Sequence, residues 1–141
     1  STAVDGLVVL DSSFLVAYYN ARDAHHAAAA RAMVQLLAGV WGRALLLEYV
    51  FLEVVTVLLA RRGLGTALTV GETLLAAREV EFVSCSDLFV DAWVVFREQA
   101  AGGLSLADAA IVWAARREAP GHVLTFDEDF RDVEGVTVLP S

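Results

Sequence analysis

Short apolar runs rich in β-branched residues alternate along the chain with longer segments whose apolar positions recur at helical spacing. Parallel strands joined by covering helices require that alternation, because such strands are buried on both faces. The runs predict strands near 7–10, 44–47, 80–83, 122–126 and 135–139. The segments between them predict helices over 12–19, 24–38, 49–62, 65–78, 86–100 and 105–118, with a short helical turn after Asp127. Ser86 and Ser105 stand where N-caps are needed, and Gly63, Gly102 and Gly121 fall near helix ends, where the backbone often turns left-handed. The fold class expected is α/β, an α/β/α sandwich with a central parallel sheet of four to five strands, as one domain over residues 1–141.

Four carboxylates break this pattern. Asp11 ends the run Gly6-Leu-Val-Val-Leu10 and Asp127 follows His122-Val-Leu-Thr-Phe126, so both emerge at carboxyl ends of strands. Open α/β sheets bind their ligands there, at a switch in strand order. Glu53 interrupts Val50-Phe-Leu-Glu-Val-Val-Thr-Val-Leu58, and Asp108 sits inside Leu104-Ser-Leu-Ala-Asp-Ala-Ala-Ile111. The apolar neighbours of Glu53 leave it no polar face, so the expectation is that it points inward, where a carboxylate needs a partner, a proton or a metal. Singly, each acid has an ordinary explanation. Asp11 would cap the first helix, Asp108 would complete a capping box with Ser105, and Asp127 would cap the last turn, with Asp129 a solvated residue of that turn. Jointly they describe a convergence of carboxylates that repel one another unless a cation lies between them. Hard cations such as Mg²⁺ or Mn²⁺ take oxygen ligands, and hydrolysis of phosphodiesters is the usual use of such a site.

Composition narrows the choice. The 141 residues are 57% hydrophobic, with mean hydropathy +0.59. The apolar stretch Leu45 to Ala60 is nevertheless shorter than the roughly 20 residues of a membrane span, and Glu48 and Glu53 would each cost about 2.5–3.5 kcal/mol at a bilayer centre. The surplus apolar surface points to a subunit or partner interface. The opening Ser1-Thr-Ala-Val-Asp-Gly6 has no positive n-region and no long apolar core, so the default expectation is a cytoplasmic protein. The single Cys85 cannot form an intrachain disulfide and reads as a small buried side chain near a strand end. A net charge of -8 argues against a nucleic-acid grip spread over the whole surface, though not against a nuclease whose metal ions neutralise local acids.

All ten basic residues are Arg. Without lysine, a phosphoacceptor receiver domain and a P-loop nucleotide-binding protein are both excluded, and the Gly-rich loop of the latter is also missing. A haloacid-dehalogenase-like phosphatase would want Asp-x-Asp after the first strand, where this chain reads Asp11-Ser-Ser13. Ser12, Ser13 and Ser105 have no His-Asp relay, which sets aside a serine hydrolase. His25, His26 and His122 lack zinc spacing and read as structural or solvent-facing. Trp41, Trp93 and Trp113, with Phe51, Phe96, Tyr18 and Tyr19, read as core or interface residues, and the amphipathic surroundings of Trp93 and Trp113 favour burial.

The same residues resemble the PIN domains, and within them the VapC type of ribonuclease toxin. The likeness runs through Val9-Leu-Asp-Ser-Ser-Phe-Leu15, Asp23 and His26, Tyr49-Val50-x-x-Glu53 and Leu58-Leu-Ala-Arg-Arg-Gly63. Its strongest parts are Leu104-Ser-Leu-Ala-Asp108-Ala-Ala and Leu124-Thr-Phe-Asp127-Glu-Asp-Phe130, closing with Gly135-Val-Thr-Val-Leu-Pro140. The resemblance implies an α/β/α sandwich, Mg²⁺ or Mn²⁺ dependence, an RNA substrate, a homodimer and inhibition by a small cognate antitoxin. It places the acidic quartet, as catalytic residues and metal ligands, on Asp11, Glu53, Asp108 and Asp127, with Thr125 as a supporting hydroxyl and Ser12 or Ser13 near the first acid. Glu48 departs from the family pattern, where a small or hydroxyl residue is commoner, and so competes with Glu53 for the second acid. The Arg61-Arg62 pair reads first as a helix C-terminal feature and second as a phosphate-binding one. Two other readings remain open: a PIN nuclease that matures RNA without a toxin role, and an inactive dimeric module that only binds RNA or protein.

Overall fold

The computed structural model describes residues 6–141; the first five residues, where the sequence offers no leader features, lie outside it. Five strands form one parallel sheet: β1 (Leu7–Leu10), β2 (Arg43–Leu47), β3 (Val80–Val83), β4 (His122–Leu124) and β5 (Thr137–Leu139), in the order β3-β2-β1-β4-β5. Six helices join them: α1 (Ser12–Tyr19), α2 (His26–Leu37), α3 (Glu48–Arg62), α4 (Leu64–Ala76), α5 (Phe89–Glu98) and α6 (Leu106–Ala115). The chain steps outward from β1 to β2 to β3, then returns past β1 to β4 and β5. Because parallel crossovers keep one hand, that reversal moves the connecting helices to the other face of the sheet. The packing agrees: α1 touches α2 and α3, and α3 touches α4, whereas α5 pairs with α6, which lies on β1 and β4. The result is the expected α/β/α sandwich.

The core is built where the sequence is most uniformly apolar. All four residues of β1 are buried, as are Ala44–Leu47 of β2 and Val123 and Leu124 of β4. From one side Phe14, Leu15, Val54 and Leu58 close on the sheet, and from the other Ala110, Ile111 and Ala114. At the end of the sheet where the strands begin, β4 and β5 start so close together that a Cβ on Gly121 would run into the carbonyl of Gly135. Gly121 also holds a φ of +74°, which L side chains resist.

Several boundaries differ from the sequence expectation, each for a local reason. β4 ends at Leu124 and not at 126, because the Thr125 hydroxyl accepts the main-chain N–H of Asp127 and curls the chain out of the ladder. β5 begins at Thr137, since Gly135 sits at φ +78°. α2 starts at His26 because Asp23 Oδ1 captures the N–H of His25 in a local turn. α5 starts at Phe89, after a separate 3-10 turn over Cys85–Asp87. Ser86 lies inside that turn with its hydroxyl against Ser84 and caps nothing, which corrects its expected role. Trp93 is half exposed and so does not serve the core, and Cys85 is only partly buried. No helix among the described residues is long and apolar enough to cross a membrane.

Candidate metal centre

The reversal of strand order falls between β1 and β4, and the crevice opens where their carboxyl ends part. The main-chain N–H of Asp11 donates to the Leu124 carbonyl at 3.0 Å, carrying the β1–β4 pairing one residue beyond Leu10. Asp11 occupies the N-cap position of α1, yet its side chain makes no capping bond to that helix. Its Oδ2 instead accepts the Thr125 hydroxyl at 2.7 Å and the Ser13 hydroxyl at 2.8 Å. Each hydroxyl in turn accepts a main-chain N–H, Ser13 from Phe126 and Thr125 from Asp127, both at 2.9 Å. A hydroxyl has one proton to give, so these acceptances aim both protons at Asp11. The supporting serine is therefore Ser13, with no comparable bond from Ser12. The carboxylate is only 4% exposed. Burial pushes its pKa above the ordinary value, the two hydroxyls pull it back, and the charge of Asp127 raises it further.

Asp108 arrives from the first turn of α6. Ser105 Oγ accepts the Asp108 N–H at 3.0 Å while Asp108 Oδ2 accepts the Ser105 N–H at 3.2 Å, a complete capping box. The ordinary explanation of this acid thus holds, and it coexists with the functional one, since Oδ2 serves the box and Oδ1 has no described hydrogen bond. Burial pushes the Asp108 pKa up to about 6, Ser105 lowers it, and the charges of Asp11 and Asp127 add to the rise.

Asp127 accepts the N–H of Asp129 on Oδ1 at 2.9 Å, opening the 3-10 turn Glu128–Phe130. That turn swings Asp129 back, so that Asp108, Asp127 and Asp129 each offer a carboxylate oxygen with all three within 4.8 Å of one another. Asp129 is the exposed turn residue expected of it, and its carboxylate also stands near those of Asp108 and Asp127. The signal that could have found it is the Asp127-Glu-Asp129 spacing, in which a capping carboxylate pulls in the residue two positions on.

Glu53 lies on the wall of the same cleft, a space of about 310 Å³ lined by all four sequence-derived acids. It is exposed and not inward-pointing. Its apolar neighbours reflect an uncovered apolar surface on α3, where Leu52 and Leu59 also stand exposed, and not a core position. Glu53, Val57 and Arg61 follow one another at intervals of four along α3 and all line the cleft. Arg61 is thereby drawn into the site, beyond its role at the end of the helix. Glu48 faces elsewhere: it accepts the Cys85 N–H at 2.8 Å, tying the start of α3 to the segment after β3. His25 reaches the cleft too, its ring stacked on that of Phe126, whereas His26 turns its Nδ1 to the Ala17 carbonyl at 2.8 Å. A larger hollow of about 590 Å³ between the end of α5 and the 131–134 segment touches only Asp129 of these acids.

The close group among the described residues, Asp108, Asp127 and Asp129, is all carboxylate and suits a hard divalent cation, while Asp11 and Glu53 line the same cleft outside that group. The raised pKa values of Asp11 and Asp108 record negative charge gathered where water is scarce.

Comparison with known proteins agrees with this geometry. No curated protein sequence matched the chain. Among the solved structures that match is the crystal structure of VapC20 from Mycobacterium tuberculosis, described as a Sarcin-Ricin loop cleaving toxin. It superposes with a TM-score of 0.72 at 26% identity, over 86% of this chain and 91% of that one. The PIN domain family model matches residues 8–136, nearly the whole sequence. With the acids of β1, α6 and β4 gathered at one strand-order switch, and a family match spanning the sheet that gathers them, this chain belongs to the PIN domain family.

Proposed function

We propose that this PIN domain is a metal-dependent ribonuclease and the toxin of a toxin-antitoxin pair, acting at the cleft between β1 and β4. The observation that carries this reading is the convergence of Asp11, Asp108 and Asp127 from three separate elements onto one crevice, with Glu53 on its wall. The likeness to VapC20, a Sarcin-Ricin loop cleaving toxin by its description, supports RNA as the substrate. Asp11, Asp108 and Asp127 would hold Mg²⁺ or Mn²⁺, with Asp129 as an added ligand. A cation bound there would supply positive charge against the scissile phosphate and favour ionisation of water.

The remaining work falls to the chain. Ser13 and Thr125 fix the orientation of Asp11, and Ser105 fixes that of Asp108, so that the ligating oxygens need not reorganise when substrate enters. Glu53, exposed on the wall of the cleft, would orient the attacking water and accept its proton. Among the described residues, Arg61 is the one arginine lining a cleft otherwise rich in acids. Its guanidinium suits a non-bridging phosphate oxygen, which brings forward the phosphate-binding role. The uncovered apolar side chains of α2 to α5 support a homodimer and a protein antitoxin as partners.

The test is cleavage of a labelled RNA by the purified chain. Activity is expected with Mn²⁺ or Mg²⁺, inhibition with Ca²⁺, and no cleavage by Asp11→Asn. Full activity in excess chelator would reject the reading. Growth arrest on expression, relieved by the product of an adjacent gene, separates a toxin from a nuclease of RNA maturation.

A further inference from the structure

We infer that the His25–Phe126 ring pair is a nucleobase platform that positions the nucleotide beside the scissile phosphate. The inference rests on the ribonuclease reading. The two rings lie nearly parallel, 4° apart in orientation, with centroids 4.5 Å apart. Both line the cleft that holds the acids. Neither ring is in the core: Phe126 is half-buried and His25 is exposed. One flat face of the imidazole meets Phe126, and the His25 side chain is exposed and lines the cleft, so a base could extend the stack.

The pair is also tied to the acids at both ends. The main-chain N–H of Phe126 donates to Ser13 Oγ, the hydroxyl that steadies Asp11, and Phe126 lies between Thr125 and Asp127 in the chain. His25 is held by its own N–H, which donates to Asp23 Oδ1 at 2.8 Å, at the start of α2. A base resting on His25 therefore sits at a fixed offset from the carboxylates, and belongs to a nucleotide adjoining the phosphate they address. A solvent-exposed imidazole stacked over a phenyl ring at the mouth of an acidic cleft has little structural purpose of its own, since its removal opens no cavity in the core. Single-stranded nucleic acid, with unpaired π-faces and a backbone that must approach carboxylates, is the ligand this wall fits.

The experiment compares wild type, His25→Ala and His25→Trp in cleavage of a short labelled single-stranded RNA with Mn²⁺. Stacking of one base is worth about 1–3 kcal/mol, so the expected rise in KM for His25→Ala is roughly 5- to 150-fold, with kcat moving far less and His25→Trp recovering most of the loss. A second arm follows fluorescence of an RNA containing 2-aminopurine, with Ca²⁺ present and cleavage disabled by Asp11→Asn. Quenching on binding is expected with His25 and Trp at position 25 and lost with Ala. Wild-type cleavage with a KM unaffected by His25→Ala, or no recovery with Trp, overturns the platform while leaving the nuclease standing. Absence of cleavage by the wild type together with absence of quenching by Asp11→Asn retaining His25 removes the ribonuclease reading itself, and the platform with it.

Discussion

At the residue scale the controlling quantity is the ionisation of Asp108. Its folded-state pKa of about 6 stands above the ordinary 3.8, so between those values the folded chain binds more protons than the unfolded one. Metal-free stability therefore falls as pH rises through that window, and Asp11, raised for the same reason of burial, adds in the same direction. A divalent cation reverses the sense, because it binds the ionised carboxylates. Thermal melts in chelator are expected to show a higher midpoint at pH 5 than at pH 7.5, with the order inverted in Mn²⁺. In Asp108→Asn the metal-free midpoint at pH 7.5 should rise, each kcal/mol regained being about 3–5 °C for a chain of this size, while stabilisation by Mn²⁺ is lost. A metal-free midpoint that climbs with pH would show that the carboxylate is not strained. The four acids lining the cleft were legible in the sequence because a charge beside or within an apolar strand or helix is conspicuous. Asp129 was not, since its place depends on a turn that only the Asp127 side chain defines. The inward orientation expected of Glu53 failed for a different reason: apolar neighbours signal burial only when something covers them, and α3 keeps Leu52 and Leu59 uncovered.

Elements set the precision with which those residues meet. α6 begins at Ser105 because the capping box satisfies donors at its first turn, and the same bonds hold Asp108 at the cleft. Ser105→Ala should destabilise the fold by about 0.5–2 kcal/mol and also weaken Mn²⁺ binding. Urea denaturation and a metal titration report the two losses separately; loss of stability with unchanged Mn²⁺ affinity would show that the cap only supports the helix. β4 contributes by ending early. Thr125→Val keeps the shape of the side chain, removes the hydroxyl that donates to Asp11 and accepts the Asp127 N–H, and is expected to lower metal affinity or activity roughly 10- to 100-fold. The number, type and order of the elements followed from periodicity, as burial on both faces leaves parallel strands almost without polar residues. Their ends did not, because side-chain bonds such as Asp23 to His25 and Ser84 to Ser86 decide them locally.

The whole molecule has more apolar surface than its own core uses. On one face of the sheet, α2, α3 and α4 expose Val34, Leu52, Leu59, Leu68 and Leu75, and on the other α5 exposes Phe89, Val90, Trp93 and Val94. The four residues on α5 stand at positions one and four apart, a single stripe carrying two large rings, with Trp93 also stacked near Phe96 at 5.6 Å. A two-fold dimer joins one patch to its own copy, and a compact helical stripe meets that requirement. The α3 surface instead borders the cleft through Glu53 and Arg61, so a protein seated there also closes the nuclease site, which is what an inhibitor must do. Under the proposed toxin reading, the α5 stripe would serve self-association and the α3 surface would take the antitoxin. Sedimentation velocity is expected to give a wild-type dimer and a monomer for Val90→Glu combined with Trp93→Glu, whose exposed positions spare the core. Leu52→Glu should leave the dimer intact and weaken capture by the antitoxin by roughly tenfold or more, the scale of one interface anchor above 1 kcal/mol. If charge on α5 leaves the dimer untouched while charge on α3 dissolves it, the two surfaces exchange roles.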